Sequence, residues 1–188
     1  FKKELRTEIK DVAFMPGSRK GEIQKLMPIF LQLTKELKVN TTIIIPKHFT
    51  NVEIKELYGD LTNIQISNEP HKTLLNSDFA FICSGTATLE AALIGVPFIL
   101  SYIAKPLDYF IASCLVKIEY IGLSNIMFKK FKGKTLHPEF IQEEVSVTNL
   151  KESFKSYNRE DFFENSQELR AYLKHGSSRR VAEIIEEI

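Results

Sequence analysis

Ser84-Gly85-Thr86 and Glu90 are the residues whose types and spacing first suggest chemistry in this chain. Small residues at the start of a helix leave backbone N–H groups uncovered. Those donors, with the positive end of the helix dipole, make an anion site suited to phosphate. Thr86 and Glu90 stand at i and i+4, so they share one helix face, about 6 Å apart along the axis. A diphosphate and its ribose are separated by a similar distance, so Glu90 could accept both ribose hydroxyls while the helix start holds phosphate. The same residues equally describe an ordinary helix, with Ser84 a plain N-cap and Glu90 a solvated charge. Pro16-Gly17-Ser18-Arg19 forms a second turn of this kind. Gly17 lets the backbone approach an anion, Ser18 offers a hydroxyl and a cap, and Arg19 presents forked donors to a diphosphate oxygen pair. Taken alone, that turn is also what a surface arginine looks like. Neither segment carries the GxGxxG or Walker pattern.

The elements that must position these residues alternate between strand and helix. Asp11–Met15 is a compact apolar run ended by the Pro-Gly turn, and from Gly21 to Leu37 the residues Ile23, Leu26, Met27, Phe30, Leu33 and Leu37 recur at helical spacing. β-branched Thr41–Ile45 reads as a central parallel strand, Asn51–Tyr58 as a helix, Ile64–Ser67 as a third strand, and Glu69–Asn76 as a short helix starting near Pro70. Phe79–Cys83 is a buried strand feeding the Ser84 helix, Pro97–Tyr102 a fifth strand, Pro106–Val116 a helix, and Glu119–Gly122 a last short strand. This alternation predicts a Rossmann-like α/β fold: an open, doubly wound parallel sheet covered on both faces, with right-handed crossovers. In such a sheet the ligand lies at the carboxyl ends of the strands. The turns at Pro16–Arg19, Ser67-Asn68, Ser84–Thr86 and Ala104-Lys105 all follow strands and should converge on one crevice. Residues 1–10 read as a linker or part of a helix, 11–145 as the sheet domain, and 146–188 as a helical segment with helices over Val147–Tyr157, Asp161–Leu173 and Arg179–Ile188.

Composition sets outer bounds. The 188 residues, 44% of them hydrophobic and 26% charged, suffice for one domain with a core and argue against disorder. With 25 basic and 24 acidic residues the net charge is +1, which implies no general attraction to nucleic acid. Cys83 and Cys114 lie in apolar surroundings without CxxC spacing and read as buried thiols in a reducing compartment. The apolar stretch Ala91–Ala104 is broken by Gly95, Pro97 and Ser101 and is too short to span a bilayer. The chain opens on Phe1 inside a charged segment, as a piece of something longer would. The run Phe128–Lys134 interleaves four lysines with two phenylalanines; it reads by default as a solvated loop, with contact to an anionic membrane surface as the alternative.

Other chemistries fit less well. His48, His71, His137 and His175 are scattered and none has a partner at metal-ligand spacing, so no metal is expected and no cofactor is implied. Ser84 lacks the first glycine of a G-x-S-x-G elbow, since Ile82 stands there.

Met-Pro-Gly-Ser-Arg (15–19), Ser-Gly-Thr-Ala-Thr-Leu-Glu-Ala (84–91), Pro97, Tyr102, Lys105-Pro106, Leu115-Val116-Lys117 and Leu123-Ser124-Asn125, in that order, resemble the lipid-A-disaccharide synthase family. Ser124 departs from the family pattern, which has proline before the asparagine, and the basic run from Phe128 replaces a more neutral loop. The resemblance implies the C-terminal, donor-binding half of a two-domain GT-B inverting glycosyltransferase. The family joins UDP-2,3-diacylglucosamine to 2,3-diacylglucosamine 1-phosphate, giving a β-1,6-linked disaccharide phosphate and UDP. By that analogy Gly17, Ser18 and Arg19 contact the diphosphate, joined by Lys105. Ser84, Gly85 and Thr86 hold it on the helix start, Glu90 binds ribose, and Asn125 faces the reacting sugar or its phosphate. Arg19 and Asn125 are then the catalytic candidates, while the general base is expected in the missing N-terminal domain. The resemblance also implies a cytoplasmic enzyme at the inner face of the bacterial inner membrane. An orphan apolar face on Arg179–Ile188 would be open to homodimerisation or domain exchange. Two alternatives remain at this point: another UDP-GlcNAc-using GT-B enzyme, such as a peptidoglycan N-acetylglucosaminyltransferase or an epimerase, and a non-catalytic nucleotide-sensing module.

Overall fold

The computed structural model describes residues 3–83, 85–104 and 119–173. In chain order these form β1 (Asp11–Met15), α1 (Lys20–Glu36), β2 (Asn40–Ile44), α2 (Asn51–Tyr58), β3 (Gln65–Ser67), α3 (Pro70–Asn76), β4 (Phe79–Cys83), α4 (Thr86–Ile94), β5 (Phe98–Tyr102), α5 (Leu123–Lys132), β6 (Glu139–Ile141), a 3₁₀ turn (Gln142–Glu144), α6 (Val147–Lys155) and α7 (Arg159–Leu173). The strands make one sheet in the order β3-β2-β1-β4-β5-β6, every neighbouring pair parallel. The chain builds outward from β1 to β3, crosses back to set β4 beside β1, and builds outward again. The topological switch point therefore falls between β1 and β4, the position where doubly wound sheets bind ligands.

Successive strand residues point to opposite faces, and the two cores follow that alternation. Val12 and Phe14 of β1 and Phe79 and Phe81 of β4 meet the buried stripe of α1, including Ile23, Met27 and Phe30. Phe14 stacks on Phe81 at a centroid distance of 5.0 Å, and the Phe30 ring meets Phe14 edge-on at 5.2 Å. On the other face Ala13, Ala80 and Ile82 meet Ala91 and Ala92 of α4, backed by Phe128 of α5 and by Phe162 and Leu169 of α7. Alanines on both sides let α4 lie close to β4, which brings its N-terminus to the end of that strand. Leu150 of α6 joins the α1-side core, so the helices after residue 146 cover both faces of the same sheet.

Several expectations are corrected. No strand forms over Glu119–Gly122, because the amides of Ile121 and Gly122 donate to the Glu139 carboxylate, at 2.7 and 3.1 Å, instead of to a neighbouring strand. The sixth strand is Glu139–Ile141, where no strand is expected from the sequence. The basic run is not a loop: Phe128 to Lys132 form the second half of α5, and Gly133 and Lys134 follow its end. Its Phe128 is buried, its Phe131 stacks on Tyr172 at 4.2 Å, and three of its lysines face acids: Lys129 with Glu119 (3.9 Å), Lys132 with Glu168 (3.0 Å) and Lys134 with Asp161 (3.6 Å). Ser84, Lys105, Cys114, the helix expected over 106–116 and the one over 179–188 lie outside the described residues.

Candidate functional site: a crevice at the switch point

The carboxyl ends of β1, β2 and β4 open into a crevice of about 520 Å³. Its walls come from four turns: Met15 and Gly17 to Arg19 after β1, 44–47 after β2, Asn68 and Pro70 after β3, and Cys83 with Gly85 to Ala87 between β4 and α4. Three of the four expected turns thus meet in one place. The fourth, after β5, is represented up to Ala104, which does not line the cavity.

The turn after β1 is shaped by Gly17. Its φ of +108° belongs to the region that side chains rarely adopt, and a Cβ built there would stand 2.5 Å from Glu22 Oε2 and 3.3 Å from Cys83 Sγ. Only glycine leaves room for the Glu22 carboxylate to fold back over the turn. That carboxylate accepts from Arg19 Nη1 at 3.0 Å and from the Arg19 amide at 3.4 Å, closing the first turn of α1. The Arg19 side chain is 81% exposed, whereas that of Glu22 is 15% exposed. The guanidinium is therefore held at one end and open to solvent over the crevice, with the residues of the Gly17-Ser18-Arg19 turn all on the cavity wall.

At the start of α4 Gly85 holds the N-cap position, with φ +111° and ψ −152°, and no side chain caps the helix among the described residues. Thr88 Oγ1 donates to the Gly85 carbonyl at 2.8 Å, inside the turn, while Thr86 stays exposed on the crevice wall. The open donors of α4 thus border the cavity that Arg19 overlooks. Glu90, one turn further on, is half-buried, has no hydrogen bond or ion pair among the described residues, and does not line the cavity.

Ala104, where the chain leads towards Lys105, is held from two sides. Lys25 Nζ of α1 donates to its carbonyl at 2.5 Å, and its amide donates to Gln142 Oε1 at 2.8 Å. Gln142 carries a φ of +54°, uncommon for a residue other than glycine.

Asn125 lies in the interior. Its side chain is fully buried and every hydrogen-bonding position is used: Nδ2 donates to the His137 carbonyl (2.9 Å) and to Glu139 Oε1 (2.7 Å), and Oδ1 accepts from the amides of Leu136 (2.7 Å) and His137 (3.1 Å). An amide with no donor or acceptor left over fastens α5 to the approach of β6 and is not placed on the crevice wall. Beside it, His137 Nδ1 faces the Pro138 carbonyl (3.1 Å), which can only accept, so Nε2 takes the proton of the Ser124 hydroxyl (2.8 Å). Burial drives the His137 pKa down to about 3, so this imidazole is neutral.

Two crevice residues escape the sequence reading. Lys47, exposed after β2, is a second cation on the wall, and Glu22 is an acid in the midst of an anion site. Glu22 carries a sequence signal, three residues after Arg19 in the first helical turn, where a carboxylate caps backbone amides. Lys47 carries none. No cluster of three or more histidine, cysteine or acidic residues able to hold a metal occurs among the described residues.

A parallel sheet in the order 3-2-1-4-5-6 with a crevice at its switch point defines a Rossmann-type, doubly wound α/β domain. MurG of Acinetobacter baumannii shares the fold at a TM-score of 0.61 and 17% identity, over 98% of this chain and 51% of that one. A kitacinnamycin glycotransferase does so at 0.56 and 16%, over 100% and 45%. The chain belongs to the lipid-A-disaccharide synthetase family, whose model matches residues 2–188. It is 45% identical over 195 residues to the lipid-A-disaccharide synthase of Helicobacter pylori strain 26695, covering 97% of this chain and 54% of that protein. It is 48% identical over 180 residues to that of Campylobacter jejuni strain RM1221, covering 95% and 49%. The chain thus spans about half the length of these relatives.

Proposed function

We propose that this chain is the donor-binding half of a lipid-A-disaccharide synthase, an inverting glycosyltransferase that uses UDP-2,3-diacylglucosamine and 2,3-diacylglucosamine 1-phosphate and releases the β-1,6-linked disaccharide phosphate and UDP. The observation that carries the reading is the meeting, at one switch-point crevice, of the Gly17-Ser18-Arg19 turn with the N-terminus of α4. When the glycosidic bond to the donor breaks, negative charge grows on the UDP leaving group. Arg19 and the N-terminal amides of α4 stand where a diphosphate in this crevice would meet them and would stabilise that charge without a metal. Thr86 shares their wall. Ser84 and Lys105 remain proposed diphosphate contacts and Glu90 a proposed ribose acceptor, reached if the nucleoside extends past the cavity along α4. Asn125 acts on the site through the fold, by fixing α5 to the strand beside β5, and not by touching the sugar.

The sheet domain over 11–145, covered by the helices after 146, would present this crevice to the N-terminal GT-B domain that the relatives' length leaves room for. That domain would supply the general base and the acyl-chain contacts. Acylated substrates imply work at the inner face of the inner membrane; among the described residues no helix is long and apolar enough to cross a membrane. Homodimerisation through 179–188 stays part of the proposal. The lysines of the 128–134 run, three of them facing carboxylates, are not the residues we assign to lipid contact.

Calorimetric titration with UDP, with AMP and NAD as controls, tests the reading. Selective UDP binding weakened about tenfold or more in Arg19→Ala, the loss expected for one charge-assisted hydrogen bond, supports it. Equal binding of purine nucleotides, or an Arg19→Ala variant that binds UDP as the parent does, refutes it.

A further inference from the structure

Glu22 is the anomaly of the crevice. An acid facing a site meant for two phosphates should repel them, yet the turn is built around it: Gly17 lacks a side chain where the carboxylate sits, and Arg19 meets the carboxylate with both its backbone amide and its guanidinium. Among the described lining residues the cations Arg19 and Lys47 stand against this one carboxylate, which leaves a single net positive charge. We propose that Glu22 is a positioning residue that acts as an internal counter-anion: it holds the Arg19 guanidinium over the empty crevice and yields it to the diphosphate when the donor arrives.

Exposure and valence both favour the exchange. The guanidinium is 81% exposed and tethered to Glu22 through one nitrogen, so it can swing without unpacking anything, whereas Glu22 is largely enclosed and stays behind. A diphosphate brings more than one negative charge and several acceptor oxygens in the forked geometry arginine favours, against the one carboxylate it replaces. In the exchanged state Glu22 still accepts from the Arg19 amide, so the turn keeps its shape. Affinity is thereby held below what the bare cations would give. An enzyme that must release UDP after every turnover gains a faster exit from such competition, and Arg19 is kept from wandering between turnovers.

This inference rests on the crevice being the diphosphate site, so the experiment separates the two. UDP and inorganic pyrophosphate are titrated into the parent chain and into the Glu22→Gln and Arg19→Ala variants, with dissociation of UDP followed by stopped flow. Glu22→Gln keeps an oxygen to accept from the Arg19 amide but removes the charge. The expected result is UDP and pyrophosphate bound about two- to fivefold more tightly than by the parent, the size of an exposed ion pair removed as a competitor, with slower release. A purely structural role would move affinity the other way. If the parent binds UDP and Arg19→Ala weakens it while Glu22→Gln binds no better or worse than the parent, the counter-anion is overturned and the donor site stands. If neither ligand binds the parent or Glu22→Gln, both are overturned, since an unmasked Arg19 would then meet no diphosphate.

Discussion

Replacing Gly17 and Gly85 by alanine, separately, isolates what the crevice demands of its backbone. Both residues hold φ near +110°, at +108° and +111°, so an alanine at either position bears the same kind of strain, about 1–3 kcal/mol. They differ in what the new methyl meets. At Gly85 nothing lies within 4 Å among the described residues, so strain acts alone. At Gly17 the methyl would stand 2.5 Å from Glu22 Oε2, closer than real contacts allow, and the carboxylate must leave. Its ion pair with the exposed Arg19 is then lost, a further ~0.2–1 kcal/mol, and the Arg19 amide loses its acceptor, adding roughly 0.5–1.5 kcal/mol. Gly17→Ala is therefore expected to cost about 1 kcal/mol more than Gly85→Ala. For a domain of this size that is a melting point lower by roughly 2–4 °C. Urea unfolding of the three proteins gives the difference directly. The entropy that alanine removes from the unfolded chain is common to both and cancels. Equal losses in the two variants, or a neutral Gly17→Ala, would refute the geometry of Glu22 over the turn.

The remaining predictions concern titration and the interior. The neutral His137, with its pKa lowered to about 3 by burial, binds its proton only in the unfolded chain between that value and the usual ~6.5, so folding stability contributed above pH 6.5 drains away as pH falls towards 3. From pH 6.5 to 5 the parent should lose up to about 2 kcal/mol more than His137→Gln, read by chemical denaturation at each pH; parallel curves would contradict the buried neutral imidazole. The Glu53 carboxylate is held down to about 2, first by its hydrogen bond from Lys20 (2.6 Å) and then by the Thr50 amide and hydroxyl. A depressed carboxylate stabilises the fold above its unfolded pKa of ~4.3 and ceases to do so as pH falls through about 2, so the advantage of the parent over Glu53→Gln should fade across that window in pH-dependent melting. Asn125→Ala strips partners from two buried amides, a carbonyl and the Glu139 carboxylate and should cost about 2–4 kcal/mol in urea unfolding. Whatever fraction stays folded should bind UDP with parental affinity; a stable Asn125→Ala chain that has lost UDP binding would return Asn125 to the site.

The parts of this fold legible in the sequence are those where one physical signal dominates. β1 and β4 are apolar on both faces and read as continuous buried runs, and α1 shows its stripe because a single face meets the sheet. α5 is obscured because its core-facing residues include Ser124 and Asn125, polar side chains that are buried only because 136–139 supplies their partners. β6 is three residues long behind Pro138 and is a strand only because β5 offers an edge. Periodicity cannot register a partner that lies elsewhere in the chain, and the same blindness hides the surroundings of Asn125 and Glu22. Asn125 is polar, and polarity in a sequence does not say whether the side chain faces a ligand or a backbone. Glu22 is acidic, and nothing local says that the glycine five residues earlier leaves it a place above an anion site. In each case the decisive fact is who occupies the fourth side of the residue. For Asn125 that side is filled by the protein. For the Arg19 that Glu22 holds it is open to solvent, which is where a nucleotide diphosphate would complete the set.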